Sequence, residues 1–526
     1  MPGEHRWTRS LGVLAALALP LGAAAQEIRL GHEFQVNTYT TSYQNGASLA
    51  VDDDGDFIVA WTSNGQDGSA TGIFARRFSS VGTALGGEIQ INTHFTSSQT
   101  LPSAAADADG DFVVAWSSQG QDGAGLGVFA RRFSSEGAPV GAEFQVNTYI
   151  TNTQSFSSVA AADSGAFVVV WQSYGQDGEF GGIFARRFSS VGAPVGVEFQ
   201  VNTHFTATQN FPAVAADAAG NFVVAWESFG QDGDNYGIFA QRFSSAGVRV
   251  GSEFQVNTYI TSYQRLPSVA ADADGDFVIA WTSYGQDGSY VGVFARRFSS
   301  AGAPVGSEFQ VNTYFTNNQH ANSVASASGG DFVVAWTSYT QDENDYGVFA
   351  RRFSSAGAPL ATEFQVNTHT TNYQRNASVA AEAGGGFVVA WASGSQDGQS
   401  GGVFAQRFAI QLTLDIDGNR SLQPLFDGLL VVRRFFGFSG ATLTTGAVGG
   451  GCTRCDAAAI EPYIAGLGLT LDIDGDGALE PLTDGLLILR ALIGFTGATL
   501  TSGAVGGGCS RCDATAIEPY LAGLMS

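Results

Sequence analysis

The phrase Glu-Phe-Gln-Val-Asn begins at Glu33 and returns at Glu143, Glu198, Glu253, Glu308 and Glu363, with Glu-Ile-Gln-Ile-Asn at Glu88 filling the gap. The interval is 55 residues throughout, and one tryptophan marks each unit: Trp61, Trp116, Trp171, Trp226, Trp281, Trp336 and Trp391. Self-similarity at a fixed period restricts the fold to architectures in which one supersecondary unit stacks on copies of itself.

Each unit reads as strands. In the second, Ser103–Asp107 is a run of small residues and Ala108-Asp109-Gly110 is a turn signal. Phe112–Trp116 is a continuous apolar, β-branched run, as expected of a strand covered on both faces. Gly127–Phe133 reads as a third strand, Ser135-Glu136-Gly137 as another turn, and Glu143–Val146 as a fourth strand. Four short strands repeated seven times predict a mainly β fold, a seven-bladed β-propeller of four-stranded blades. A β-solenoid is the alternative, although its coils are usually shorter and need caps. The first repeat opens with a lone Glu33–Val36 strand, and the seventh ends at Phe408 without one. The N-terminal strand is therefore expected to complete blade seven and close the ring, leaving no exposed sheet edge.

Residues 1–25 read as an export signal. Arg6 and Arg9 precede an apolar Leu11–Leu21 stretch too short for a bilayer, and Ala23-Ala24-Ala25 offers a cleavage site before Gln26. No later run predicts a membrane span. The chain has no lysine and a formal charge of −24. Nucleic acid and anionic membrane surfaces are therefore poor partners, because both require clustered cations.

Several polar positions recur. Arg77, Arg132, Arg187, Arg242, Arg297, Arg352 and Arg407 sit in the third strand, and Asp67, Asp122, Asp177, Asp232, Asp287, Asp342 and Asp397 in the loop before it. The expectation is a structural Arg–carboxylate bridge in each blade, the alternative a ring of ligand contacts. Asn37-Thr38 with Gln44, and its equivalents through Asn367-Thr368 with Gln374, are expected to satisfy backbone groups in the loops that cross between blades. The turn Asp107-Ala-Asp109-Gly-Asp111 begins like a calcium loop, but Ser118 stands where a closing acid belongs, so it reads as a tight turn. Catalysis would show as one blade departing from the rest. His94, His204 and His369 replace tyrosine, Glu227 is a lone acid beside Trp226, and no loop is lengthened.

After Gln411 a different repeat begins, with an offset of 57 residues: Asp415 answers to Asp472 and Cys452 to Cys509. Asp472, Asp474 and Asp476 alternate and are followed by Gly477, a spacing that lets carboxylates converge on a hard cation. Asp484–Ile493 and Asp513–Leu521 read as helices, with Asp513 as an N-cap. This segment resembles dockerin-type, EF-hand-like calcium units. The likeness rests on Asp472, Asp474, Asp476 and Asp484, and on Asp415, Asp417, Asn419 and Asp427; Glu480 is a candidate extra ligand. The closing acid is an Asp at loop position 13, Arg420 replaces a loop glycine, and a Gly503–Gly508 stretch is inserted. The resemblance implies Ca2+ as cofactor and attachment through a cohesin-like protein receptor. The two C-x-x-C pairs, Cys452 with Cys455 and Cys509 with Cys512, read as local disulfides in an exported chain, with cross-unit pairing or a zinc site as alternatives.

The sequence thus divides into a signal (1–25), a propeller (26–411) and two calcium units (412–467 and 468–526). The expected function is a secreted, non-enzymatic binding or adhesion protein, associated with a cell surface or matrix, whose propeller takes a glycan or cell-surface ligand. The alternatives are a polysaccharide-degrading enzyme and a passive matrix component.

Overall fold

In the computed structural model the described residues are 28–409 except 384, and 414–525 except 420, 451 and 453. The export signal lies outside them. They fall into two compact units, one of strands and one of short helices.

The strand unit is a seven-bladed propeller: seven antiparallel sheets of four strands each. Blade 2 shows the plan, with Gln99–Ala106 innermost, then Phe112–Gln119, Leu126–Phe133 and a short outer Phe144–Gln145. Blade 7 takes its outer strand from Ile28–Gln35, which pairs with Gly402–Ala409 in register Ile28 to Ala409 and Gln35 to Phe404. The ring closes as the lone first strand predicts.

The second strand is buried on both faces because each blade packs against both neighbours. Seven apolar cores result, one per blade-to-blade junction. At the junction of blades 1 and 2, Ile58, Ala60, Ile73 and Ala75 meet Phe112, Val114, Trp116 and Phe129. The junction of blades 7 and 1 has the same composition, with Val388, Val403 and Ala405 meeting Phe57, Val59 and Trp61. Every repeat tryptophan is fully buried, and each is the largest apolar group of its junction.

Arginines tie the blades together, but not as the bridge expected from sequence. The first Arg of each third-strand pair reaches back to the preceding blade: Arg76 Nη1 donates to Val36 O (3.1 Å), Arg131 to Ile91 O (3.1 Å) and Arg186 to Val146 O (2.9 Å). The second reaches forward, as when Arg187 donates to Ala246 O (2.5 Å) and Arg242 to Ala301 O (2.5 Å). In blades 4 and 7 glutamine replaces the first Arg, and an outer-strand arginine takes over. Arg249 donates to Val201 O (3.2 Å), and Arg29 to Val366 O (2.7 Å). The loop aspartates instead cap their own turns: Asp67 accepts from Ser69 N (3.0 Å) and Asp122 from Ala124 N (3.1 Å). Arg132 and Arg407 pair with turn acids Asp111 (3.6 Å) and Glu382 (3.4 Å), so loop residues Asp122 and Asp397 are not their ion-pair partners.

The other recurring letters have structural employment as well. Asn37 Oδ1 accepts from Val403 N (2.7 Å), while its Nδ2 donates to Tyr39 O (2.9 Å) and Gln44 Oε1 (3.1 Å). The Glu of each outer strand spans loop and link: Glu143 accepts from Thr93 N (2.5 Å) and from Gln121 Nε2 (2.6 Å). Asp107 closes the turn read as such, its Oδ1 accepting from Asp111 N (2.9 Å).

The helical unit is built on one core that draws on both 57-residue repeats, with Leu414, Ile416, Leu430 and Ile460 from the first and Leu471, Ile473, Leu487 and Ile517 from the second. Its longer helices are Leu429–Phe435, Ala457–Leu467, Asp484–Ile493 and Ala514–Leu524. Asp513 is the N-cap read from sequence, accepting from Ala516 N. Among the described residues no helix is long and apolar enough to cross a membrane.

Candidate functional sites

The two acidic loops of the helical unit each gather three carboxylates. Oxygens of Asp415, Asp417 and Asp427 lie within 4.8 Å of one another, as do those of Asp472, Asp474 and Asp476. The closing aspartates organise the loop backbone. Asp427 accepts from Ile416 N (2.7 Å) and Gln423 N (2.7 Å), and Asp484 from Ile473 N (2.6 Å) and Glu480 N (3.0 Å). Asn419 accepts from Ser421 N (2.8 Å) through its Oδ1. Glu480 is exposed, and its backbone N–H is what meets the loop.

The glycine-rich insertion has a structural meaning. It lays backbone across the acids, so that Gly449 N donates to Asp417 Oδ2 (2.6 Å) and Gly506 N to Asp474 Oδ2 (2.5 Å). A Cβ at Gly506 would collide with the Asp476 carboxylate. Just beyond, Cys452–Cys455 and Cys509–Cys512 form local disulfides. Arg454 and Arg511 fold back beside them and donate to the loop carbonyls of Ile416 and Ile473 (both 2.8 Å). Each of these arginines also stacks on a tyrosine, Tyr463 at 3.8 Å and Tyr520 at 4.0 Å.

Asp417, Asp427, Asp474 and Asp484 are fully buried. Burial first, and then the neighbouring Asp417 and Asp415 charges, push Asp427 up to about 6; burial raises Asp484 as well. Buried carboxylates in mutual repulsion are costly unless a cation joins them. The residues therefore fit a metal ion, and their all-oxygen donor set suits a hard one.

The propeller offers a second site, at the rim where the inner strands begin. Here the repeat breaks. The second residue of each inner strand is Asn45, Thr100, Ser155, Asn210, Arg265, His320 and Arg375 in turn, and the residue after each Trp is Thr62, Ser117, Gln172, Glu227, Thr282, Thr337 and Ala392. The two series meet across blade junctions. Glu227, fully buried, takes the Arg265 fork of the next blade: Nη2 to Oε1 at 2.9 Å, and Nε to both oxygens at 3.2 Å. Leu266 N donates to Glu227 Oε2 (3.1 Å) and Asn210 Nδ2 to Oε1 (3.4 Å). Gln172 Nε2 extends the chain to Asn210 Oδ1 (2.5 Å). In the sequence Glu227 is a lone acid beside Trp226, because its partner lies 38 residues away.

Each inner strand bulges at its third residue, shifting register between Asn210 and Ala213 in blade 4. Six of these residues hold positive φ without being glycine: Leu101, Phe156, Phe211, Leu266, Ala321 and Asn376. Such bulges re-aim side chains and recur beside functional sites. They bring Phe156 and Phe211 to 4.5 Å between centroids. The Arg265 guanidinium lies over Phe211 (5.8 Å) and Tyr236 (4.9 Å), and aromatic contacts continue through Tyr263 to Tyr284 (5.6 Å). His320 sits against Tyr346 (5.6 Å) and Arg375 over Tyr373 (4.3 Å). Blades 1 and 2 have only Asn45, Gly46, Thr100 and Leu101 at the same inner-strand places.

No protein-family model matches the chain, and no curated protein matches it. Solved structures similar to it include a protein of unknown function from Dyadobacter fermentans, at 9% identity and TM-score 0.46, covering 74% of this chain and 99% of that one. A second is an ulvan lyase of a polysaccharide lyase family, at 10% identity and TM-score 0.42, covering 73% and 96%. A third is a Hadza microbial sialidase, at 8% identity and TM-score 0.39, covering 65% and 73%.

Proposed function

We propose that this chain is a secreted binding protein, without catalytic activity, whose propeller rim engages a glycan or cell-surface ligand and whose helical unit is a calcium-loaded attachment module. One observation carries the reading: in a ring of equal repeats, the departures collect on one arc of one rim as polar groups set among part-exposed aromatic rings. Tyr263 and Tyr284 are 39% and 38% exposed, and Phe229 beside them 43%. Flat aromatic faces with a few fixed polar groups suit the alternating apolar and hydroxyl surfaces of sugar rings. Both Glu227 oxygens are held by donors, Oε1 by Arg265 Nη2 and Oε2 by Leu266 N, which supports a positioning role over proton transfer.

Calcium is the metal proposed for the loops, since their donors are all oxygen and their backbone is irregular. Asp415, Asp417, Asn419 and Asp427 would hold it in the first unit, and Asp472, Asp474, Asp476 and Asp484 in the second, with Glu480 able to swing in. The attachment role is supported by apolar side chains exposed at equivalent places in both units: Leu425 with Leu482, Phe436 with Ile493, and Phe438 with Phe495. A protein receptor is the partner such a duplicated apolar surface fits.

The test is a binding screen of the full-length protein against immobilised polysaccharides and cell-wall fractions. Saturable binding to at least one, lost on mutating rim aromatics such as Tyr263→Ala, is the expected result. Failure to bind any glycan would overturn the reading.

A further inference from the structure

We infer that the rim arc of blades 5 to 7 selects anionic saccharides, the Arg265 and Arg375 guanidinium groups receiving the acidic group of the sugar. This deepens the glycan-binding reading and rests on it.

Every other arginine of the seven repeats lies in a third or outer strand, where the contacts described above tie blades together or, for Arg132 and Arg407, hold a turn acid of the same blade. Arg265 and Arg375 alone stand on inner strands, at the same register point of blades 5 and 7. His320 occupies that point in blade 6 between them. Arg, His and Arg in succession interrupt a series that is otherwise Asn, Thr, Ser and Asn. This happens in a chain whose formal charge is −24.

The surroundings separate binding from scaffolding. Arg265 spends Nε and Nη2 on Glu227, yet its side chain stays 33% exposed. Glu227 thereby fixes the guanidinium against Tyr236 while one end still faces the rim. Arg375 is exposed, lies on Tyr373, and has no ion-pair partner among the described residues. Its charge, after burial, helps keep His320 below its ordinary range, so His320 offers a neutral ring. A guanidinium pairs in bidentate fashion with carboxylate or sulfate, and the adjacent tyrosine faces give the sugar ring a platform.

The test measures binding of the full-length protein, with calcium present, to three polymers: a polyuronate, a sulfated galactan and a neutral galactan. Polyglutamate is added as an acidic peptide. Preference for one or both charged polysaccharides by tenfold or more is expected, and which one wins identifies the anion. Arg375→Gln should reduce that binding at least fivefold without altering the melting curve, and Asn45→Ala, at the same register point of blade 1, should leave it unchanged. The double variant Glu227→Gln/Arg265→Gln, which leaves no unpaired buried charge, should reduce it similarly. Equal binding to neutral and charged galactans, or an unaffected Arg375→Gln, would overturn the inference while leaving glycan binding in place. Polyglutamate binding as tight as that of the charged polysaccharides would overturn it too. Binding to none of the saccharides would remove the underlying reading itself.

Discussion

The propeller and the helical unit are both built by repetition, but they meet the cost of folding in different ways. In the propeller each repeat buries its apolar faces against two neighbours, and the Ile28–Gln35 strand supplies the last edge. Asn37, Glu143 and Arg131 take hydrogen-bond partners within the ring, while the buried indole N–H of Trp61 and the Oδ2 of Asp67 have none. In the helical unit two repeats share a single smaller core, and fully buried aspartates are gathered beside it. A ring that closes on itself covers its own sheet edges; a pair of repeats that concentrates like charge offers a place for a cation from outside.

The largest effect should come from opening the ring. Removing residues 26–40 exposes the Gly402–Ala409 edge and uncovers the junction of blades 7 and 1. The propeller's melting midpoint should then fall by more than about 10 °C, with the helical unit's transition unmoved. An unchanged midpoint would mean that closure contributes nothing. Next, Trp336→Ala empties the centre of one junction and should cost about 3–5 kcal/mol in denaturant unfolding of the ring. In the helical unit, Asp474→Asn should abolish most of the stabilisation that calcium gives, about 2.7 kcal/mol at a hundredfold excess over the dissociation constant, and should leave the propeller alone. The smallest effect sharpens the contrast within the ring. Arg249→Ala should cost about 0.5–1.5 kcal/mol, because Gln241 bonds to carbonyls of its own blade and leaves the Val201 carbonyl that Arg249 holds without a donor.

How much of this was legible in the sequence follows from the same contrast. The blade count, the strand order and the closing strand were readable because Trp spacing and apolar runs are local signals. Inner strands were read too short: in blade 2 the strand starts at Gln99, where a bulge at Leu101 interrupts the alternation that marks a strand. The second-position arginines were assigned the loop aspartates of their own blade, whereas Arg132 pairs with the turn acid Asp111 and Arg187 reaches the Ala246 carbonyl of the next blade. Periodicity shows that a position matters, but not which neighbouring copy it touches. The exchange of Gln241 and Arg249 is hidden for the same reason. The convergence of Asp472, Asp474 and Asp476 was legible from spacing, whereas Asp427, which joins Asp415 and Asp417, entered through the resemblance to dockerin-type units. The covering role of the glycine-rich stretch was not legible, because Gly506 meets Asp474 across 32 residues of chain. At the rim, Glu227 looked isolated until the ring placed Arg265 against it.

The contrast between the closed ring and a pair proposed to depend on calcium is tested most directly by calorimetry of the full-length protein in calcium and in chelator. Calcium should raise the midpoint of one transition, the one that Asp474→Asn also lowers, and leave the larger propeller transition where it is. Identical traces in calcium and chelator, or a shift of the propeller transition alone, would contradict the account.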